Sequence, residues 1–464
     1  MNAQPLAVLT LALLAAGAAL SRWSPRRETR AVAIAHAGMA LCTALASALS
    51  IGPGGALDGQ ALGGLVATSS LAVTLLPALA ALSFALVLSW PEAESGHRTV
   101  AQSLGLPALA IAALLAGHLA VLVVCDIVLA VLTVHATEDR ARKAQAVARG
   151  GGIGLVLAGL VMVPTDLWLA PLPQVSAAMG LLPASLMVAG IALQLGIGPA
   201  SFSLRAAMCS GMTARGVLTV LPLGGLALLL RVAGPAFAHA ADAQTRHVVM
   251  LAALLSALTT AALVLVQRAA GSALALLLST SHALVLVGLV GRDPGAYLGG
   301  ELLWAATLVA GAGAGVCLLA LRARHGRLRL DRWNGFYASS TGLSALLLFF
   351  SVALGGLPGT LDFAALDLVL HGAVSDHLDT MVLCALCMAV AGFAAVRMAF
   401  GLLFGAPGVD ARPDDMPLLP RERYALLTLA IPLLVAGLAP EVLPAVRQVA
   451  QVGAQAGPKQ EHRD

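Results

Sequence analysis

The segment LSALLLFFSVALGGLPGTLDFAALDLVLHG, residues 343–372, is apolar up to Leu354, breaks at Gly355-Gly356-Leu357-Pro358-Gly359, and resumes with Asp362, Asp367 and His371. Glycine and proline weaken or stop a helix. In lipid the backbone groups they free must find a protein or aqueous partner. Ionisable side chains at membrane depth are costly, so acids set beside such a break ask for a functional reason.

The rest of the chain places that break in a membrane. Of 464 residues, 59% are hydrophobic and 11% charged, with mean hydropathy +0.91. Soluble domains carry about 25% charged residues; this chain cannot hydrate its surface and reads as an all-α polytopic membrane protein. The net charge of +4 is small and its arginines sit in loops, a topology signal rather than a nucleic-acid footprint. Six cysteines (Cys42, Cys125, Cys209, Cys317, Cys384 and Cys387) are scattered through apolar segments. The Cys384-Ala-Leu-Cys387 spacing falls mid-helix and reads as packing, not as a metal or redox pair. The N-terminus lacks a basic stretch before its apolar run and reads as a first membrane helix rather than a signal peptide.

Apolar runs of about 20 residues mark spans. They fall at 4–21, 31–51, 64–90, 100–117, 118–136, 150–170, 180–201, 215–235, 247–267, 269–291, 296–321, 340–372, 379–405 and 423–446, fourteen in all. The run 104–136 is too long for one crossing of a core about 30 Å thick, and it divides near His118. Loops after odd-numbered spans hold SRWSPRRETR (21–30), EDRARK (138–143), RARHGRLRLDRW (322–333) and RPDDMPLLPRER (412–423); the even loops 52–63 and 171–179 hold no Lys or Arg. The positive-inside rule puts the odd loops in the cytoplasm and both termini on the outer, periplasmic side of a cell inner (plasma) membrane. The tail KQEHRD reads as a solvated end.

Residues 191–212, IALQLGIGPASFSLRAAMCSGM, repeat the opening pattern: an apolar helix interrupted by glycines and a proline, Pro199 in span seven against Pro358 in span twelve. Five spans separate the two. An odd offset implies two five-helix repeats, the second inverted, and paired broken helices in inverted repeats point to a transport site. The alternative is that each proline marks only a kink. On the repeat reading the chain divides into helices one to three (1–99), a first repeat (100–240), a second (241–408), and a C-terminal helix and tail (409–464).

With these features assembled, the chain from about residue 60 to 440 resembles the antiporter-like membrane subunits of respiratory complex I and the multisubunit cation/proton antiporters. GGLPGTLDF (355–363) is close to that family's Gly-Leu-Pro-Gly-Thr-x-Gly-Phe step, and STSHALVLVGLVG (279–291) resembles its Ser-Ser-x-Ser-His/Gln stretch. VVCDIVLAV (123–131) sits where the family has an acid in helix five, and PLLPRERYALLTLAIPLLVAGLAPEVL (417–443) resembles its final helix. LDLVLHG beside Pro-Gly-Thr is similar to the branch that includes membrane subunits of inorganic-carbon transporters. The resemblance implies fourteen helices, inverted five-helix repeats and broken helices seven and twelve.

It also implies a charge relay that this chain has altered. The family uses a glutamate in helix five, lysine in seven, lysine or histidine in eight, and lysine or glutamate in twelve. The matching positions here are Asp126, Gln194, a position near Thr219, and Leu366 with Asp367 beside it. The chain has two lysines, Lys143 in a loop and Lys459 in the tail, so no lysine relay exists. Gln194 can order water but cannot titrate.

The proton-pathway candidates are Asp126, Gln194, His282, Asp367, His371 and Arg397. Asp126, among apolar neighbours, is either a proton carrier or a neutral acid bonded to a carbonyl. His282 could pass protons near neutral pH or be a core histidine bonded to Ser281 or Thr280. Asp367 and His371, at i,i+4 on one face, form either a relay or a surface pair. Arg397 is expected to be a buried cation pairing with Asp367 or Asp362. His118, His135, Asp166 and Glu301 lie near span ends and read as interfacial. The sequence contains no phosphate loop, metal cluster, Ser-His-Asp arrangement, or haem or quinone motif, so no cofactor and no catalysis by the chain alone are expected.

Three functions fit. The first is a subunit coupling proton or cation translocation to a partner's reaction in a complex I-like (NADH:quinone oxidoreductase-like) or antiporter-like assembly. The second is a proton-coupled membrane subunit of inorganic-carbon uptake beside a separate zinc protein. The third is a scaffold paralogue that no longer conducts. The partners expected are other membrane subunits and protons or monovalent cations, without nucleic acid.

Overall fold

The computed structural model describes residues 3–25, 28–51, 59–61, 66–90, 96–209, 213–376, 378–405 and 418–447. The tail KQEHRD with Lys459, and residues 406–417, lie outside these. In chain order the elements are α1 (Ala3–Trp23), α2 (Thr29–Leu49), β1 (Gly59–Ala61), β2 (Val66–Thr68), α3 (Ser70–Ser89), α4 (His97–Leu115), α5 (Leu119–Ala136), α6 (Asp139–Val161), α7 (Leu172–Ala178), α8 (Leu181–Gln194), α9 (Ser201–Cys209), α10 (Ala214–Val220), α11 (Leu226–Leu228) and α12 (Gly234–Ala240). There follow α13 (Ala243–Leu265), α14 (Ala270–Val290), α15 (Pro294–His325), α16 (Phe336–Ser339), α17 (Thr341–Leu354), α18 (Leu361–Asp376), α19 (Leu378–Leu403) and α20 (Pro420–Leu438). Among the described residues the only sheet is a short antiparallel hairpin, β1 with β2, pairing Gly59 with Thr68.

Eleven helices among the described residues are long and apolar enough to cross a membrane, with α8 and α9 counted as one interrupted span. The three other spans expected from the sequence are helical but short or charged at one end: Leu226–Ala240, the α17–α18 pair, and α20, which opens with Arg421-Glu422-Arg423. The division near His118 holds: α4 stops at Leu115, and His118 in extended conformation is the N-cap of α5.

Burial follows composition. α14 and α15 are apolar on all sides and buried along their membrane lengths, as a helix surrounded by others must be. α1 and α2 bury only stripes of small residues, Ala7, Thr10, Leu14 and Gly17 against Ala33, Ala37, Ala40 and Ala44. In lipid, where no hydrophobic force joins helices, small side chains permit the close approach that holds them. α6 and α8 use the same device more severely: a Cβ on Gly152 would lie 2.5 Å from Gly190 O and 2.6 Å from Gln194 Cγ. That contact fixes the register of α6 against α8.

Three sequence expectations are corrected. α6 begins at Asp139, not at residue 150, because EDRARK continues into helix from the N-cap Glu138 instead of ending a loop. The eighth span is not one helix: α10 stops at Val220, Leu221–Gly225 is non-helical, and the chain resumes through α11 and a π-turn at Leu229–Ala233 into α12. Arg397 is exposed, not buried, and makes no ion pair with Asp362 or Asp367. The buried stripe of α19 runs Cys384, Cys387, Ala391, Ala394, Ala395, Met398 and Leu402, and residue 397 falls off that helical period.

Candidate functional site

Both glycine–proline breaks are real, and they are built alike. At the first, Gly196 takes φ +71°, its N–H donates to Leu193 O at 3.2 Å, and Ile197 N–H donates to Ala192 O at 2.9 Å. At the second, Gly356 takes φ +84°, its N–H donates to Ala353 O at 2.8 Å, and Leu357 N–H donates to Val352 O at 3.1 Å. This pair of bonds around a left-handed glycine is the Schellman ending of a helix. The glycines, not the prolines, are in register: Pro199 lies three residues after Gly196, Pro358 two after Gly356. Each preceding half-helix has 14 residues, about 21 Å of rise, so each break falls inside a hydrocarbon core of about 30 Å.

A helix that stops there leaves carbonyls to be satisfied. α14 supplies the donors at the first break. Ser279 Oγ donates to Gly196 O at 2.6 Å, and His282 Nδ1, as the protonated nitrogen, to Leu195 O at 2.7 Å. The STSH stretch thus caps α8 from a neighbouring helix. His282 is not held by Ser281 or Thr280; Thr280 bonds Thr260 on α13. With Nδ1 spent on a carbonyl, His282 Nε2 carries a lone pair, and it is buried without a partner.

The third break, Leu221–Gly225, holds the acid. Asp126 on α5 is buried; its Oδ1 accepts the Gly225 N–H at 2.5 Å and its Oδ2 accepts Gln194 Nε2 at 3.3 Å. Gly225 adopts φ +78° at the start of α11, so the amide that meets the carboxyl stands at a helix N-terminus, where negative charge is favoured. Arg149 on α6 completes the group. It is 3% exposed, with Nε donating to Gln145 Oε1 at 2.9 Å and Nη2 to Thr219 O at 3.0 Å. Arg149, Gln194, Leu195, Val220, Pro222, Gly224 and His282 face one narrow cavity. Gln194 Oε1 is buried and unpartnered in it, as is His282 Nε2.

Asp126, Gln194 and His282 therefore come together, and the remaining candidates do not join them. Asp367 and His371 pair at 3.4 Å on an exposed face of α18. Leu366 is a packing residue whose Cδ1 would lie 3.1 Å from a Cβ on Gly356. Asp362, in the first turn of α18, is 1% exposed with Oδ2 unpartnered. His135 and Asp166 are exposed at element ends. Glu301, expected at an interface, is instead 8% exposed.

Sequence reasoning missed Arg149 and the third break. Both left signals: Pro222-Leu-Gly224-Gly225 has the composition of the two breaks that were read, and Arg149 is charged in an otherwise small and apolar stretch. The cation expected from a lysine in span seven or eight comes from α6, and it reaches the carbonyl of Thr219, the expected span-eight position.

The architecture defines a class: a polytopic all-α membrane protein whose fold is shared with chains of multisubunit membrane complexes. Among solved structures it is similar to a chain of respiratory complex I from Thermus thermophilus (TM-score 0.81, 21% identity, covering 97% of this chain and 99% of that one). It is also similar to a chain of the Mrp complex from Dietzia sp. DQ12-45-1b (TM-score 0.78, 15% identity, 97% of each chain). A third is a chain of the membrane-bound sulfane sulfur reductase, an archaeal respiratory membrane complex (TM-score 0.76, 16% identity, 93% of this chain and 76% of that one). No protein-family model matches the chain, and no curated protein matches it in sequence.

Proposed function

We propose that this chain is a proton-translocating membrane subunit of a multisubunit assembly of the complex I or antiporter kind, coupling proton movement to a partner's reaction. The observation that carries the reading is the buried Asp126 carboxyl, held by the Gly225 amide and by Gln194, which lines one narrow cavity with Arg149 and His282. A carboxyl between donors and a fixed cation can exist charged or neutral, and the balance is set by what surrounds it. Arg149 stays charged throughout, so it holds potential while Asp126 and His282 exchange protons. Gln194 orders water entering the gap. His282 Nε2, buried and unpartnered, is the free acceptor on the far side of the cavity.

The proposal includes two five-helix repeats, 100–240 and 241–408, with α8 and α17 entering from opposite faces. It places the protein in the inner membrane with both termini on the outer side. A cysteine introduced in 322–333 should then react with an impermeant reagent only from the cytoplasmic face.

The direct test is Asp126→Asn in vesicles carrying the assembled complex. Asparagine keeps size and hydrogen bonding but cannot release a proton, and proton flux should fall by about 10²-fold or more, while Gln194→Ala only slows it. Unchanged flux in both Asp126→Asn and His282→Ala would leave the chain a scaffold.

A further inference from the structure

A second buried acid stands apart from this cluster. Glu301 on α15 is 8% exposed, and its carboxyl makes no hydrogen bond to a described residue. It faces a cleft of about 590 Å³ whose walls include Ser70 at the start of α3, His239 at the end of α12, Arg292, Tyr297 and Ala445. The cleft lies among loops that follow even-numbered spans, on the face the proposed orientation makes outer. A carboxyl buried for packing alone would cost stability without a partner, and a Leu or Gln would serve better. An opening to solvent supplies what the protein does not.

We propose that Glu301 is the proton-exchanging carboxyl of an aqueous port connecting the outer face to the Asp126 site; its role in flux rests on the proton-translocation reading above. A metal cation does not fit. Hard cations gather several oxygen ligands, and Glu301 offers one carboxylate. The Tyr297 hydroxyl is already donated to Leu230 O. Arg292 and His239 stand exposed at the mouth, and Arg231 lies behind Tyr297 with its guanidinium on the carbonyls of Leu114 and Ala116. The port also leads somewhere. Trp304, one turn beyond Glu301 on α15 and about 4.5 Å along it, donates Nε1 to Pro222 O at 2.8 Å. Pro222 belongs to the break whose Gly225 holds Asp126. Glu301 thus puts a carboxyl at the cleft on the same helix that buttresses that break.

The test has a chemical arm and a flux arm, both on the assembled complex in membranes. Vesicles are treated with a water-soluble carbodiimide and glycinamide, which condense a carboxyl with the amine to an amide, and peptides are mapped by mass. An adduct on Glu301, lost in Glu301→Gln and diminished when Ser70→Trp narrows the cleft from another helix, is the expected result. Labelling of exposed Asp379 with none at Glu301 overturns the port. In the flux arm, Glu301→Gln should lower proton flux about tenfold or more, with Glu301→Asp partly restoring it. Where Glu301→Gln fails to assemble, Ser70→Trp carries the same expectation of reduced flux. Wild-type flux in Glu301→Gln, while Asp126→Asn abolishes it, overturns the port and leaves the proposed function standing. Wild-type flux in Asp126→Asn overturns the proposed function, and the port with it, whatever the labelling shows.

Discussion

Gly225, in the left-handed region at φ +78°, donates its backbone N–H to Asp126 Oδ1 at 2.5 Å across 99 residues of sequence. The contact makes a backbone conformation and a side-chain charge mutually dependent. The chain stops being helical at Leu221, turns at Gly225, and presents to the acid an amide that an unbroken helix would have spent on its own carbonyl.

Gly225→Ala tests that dependence. A Cβ there would lie 3.0 Å from Ile191 Cγ2 and 3.6 Å from Gln194 Oε1, and the left-handed conformation costs a non-glycine residue about 1–3 kcal/mol. The variant should melt earlier in detergent and lose most of its flux. Gly326→Ala is the control. Gly326 has φ +74° with nothing within 4 Å of the added Cβ, so it should share the backbone strain and keep flux. Equal flux loss in both would show that strain, not the Asp126 contact, is responsible.

Stability near the last helix should rest on one buried ion pair. Arg324 at the end of α15 donates to Glu422 Oε1 at 3.0 Å and Oε2 at 2.6 Å, and Glu422 also accepts the Leu419 N–H that opens α20. Their side chains are 12% and 6% exposed. Removing either partner alone strands a buried charge, at a cost of about 3–5 kcal/mol. Thermal unfolding should show Arg324→Met and Glu422→Leu each strongly destabilised, with the double variant recovering most of the loss. Additive losses in the double variant would mean that the two side chains act separately.

How far the sequence reached depends on the kind of signal. The breaks at Gly196 and Gly356 were legible because glycine and proline interrupt a long apolar run, and Asp126 and His282 because ionisable groups in such runs are rare. The break at Leu221–Gly225 was not, because Leu, Val and Ala on both sides keep the apolar average high. Arg149 was hidden by the charged stretch before it: Glu138 to Lys143 reads as loop, yet it winds into α6 and carries Arg149 inside. Glu301 was misplaced because distance from a span end does not give burial; the loops and neighbouring helices that cover it come from distant sequence. Arg397 failed for a simpler reason, since its hydropathy context is apolar but its helical phase points outward.

The exposed cap of α13 gives a pH test outside the membrane. Asp242 Oδ1 accepts the Thr245 N–H at 3.0 Å, and its bonds to Thr245 hold the carboxyl below the usual carboxylate range. A lowered folded value means that the cap's contribution is full above the unfolded value, about 3.9, and is lost as pH falls through the folded one. Hydrogen exchange of the first-turn amides of α13, corrected for intrinsic rates, should show protection dropping below about pH 4. Asp242→Ala should lower protection at neutral pH and flatten that dependence; an unchanged profile would remove Asp242 as the cap.

Arg149 carries the sharpest prediction about the proposed translocation site. Its guanidinium is fixed by two charge-assisted bonds, to Gln145 Oε1 and Thr219 O, so it is a stationary charge and not a carrier. Arg149→Gln removes the charge that lies beside Asp126 and Gln194, loses about 1.5–3 kcal/mol for each such bond, and should abolish flux. Arg149→Lys is more informative. A lysine keeps the cation but presents a single ammonium that cannot span both acceptors, and unlike arginine it shifts its titration when buried. It would therefore bring back, from α6, the acid–lysine chemistry that spans seven and eight lack. Flux in Arg149→Lys should survive in part and depend more steeply on pH than in the wild type, measured in vesicles with the complex intact. Wild-type flux in Arg149→Gln would show that no fixed cation is needed beside Asp126. Loss of flux in Arg149→Lys equal to that in Arg149→Gln, with assembly preserved, would mean that the planar fork and not its charge is what the site requires.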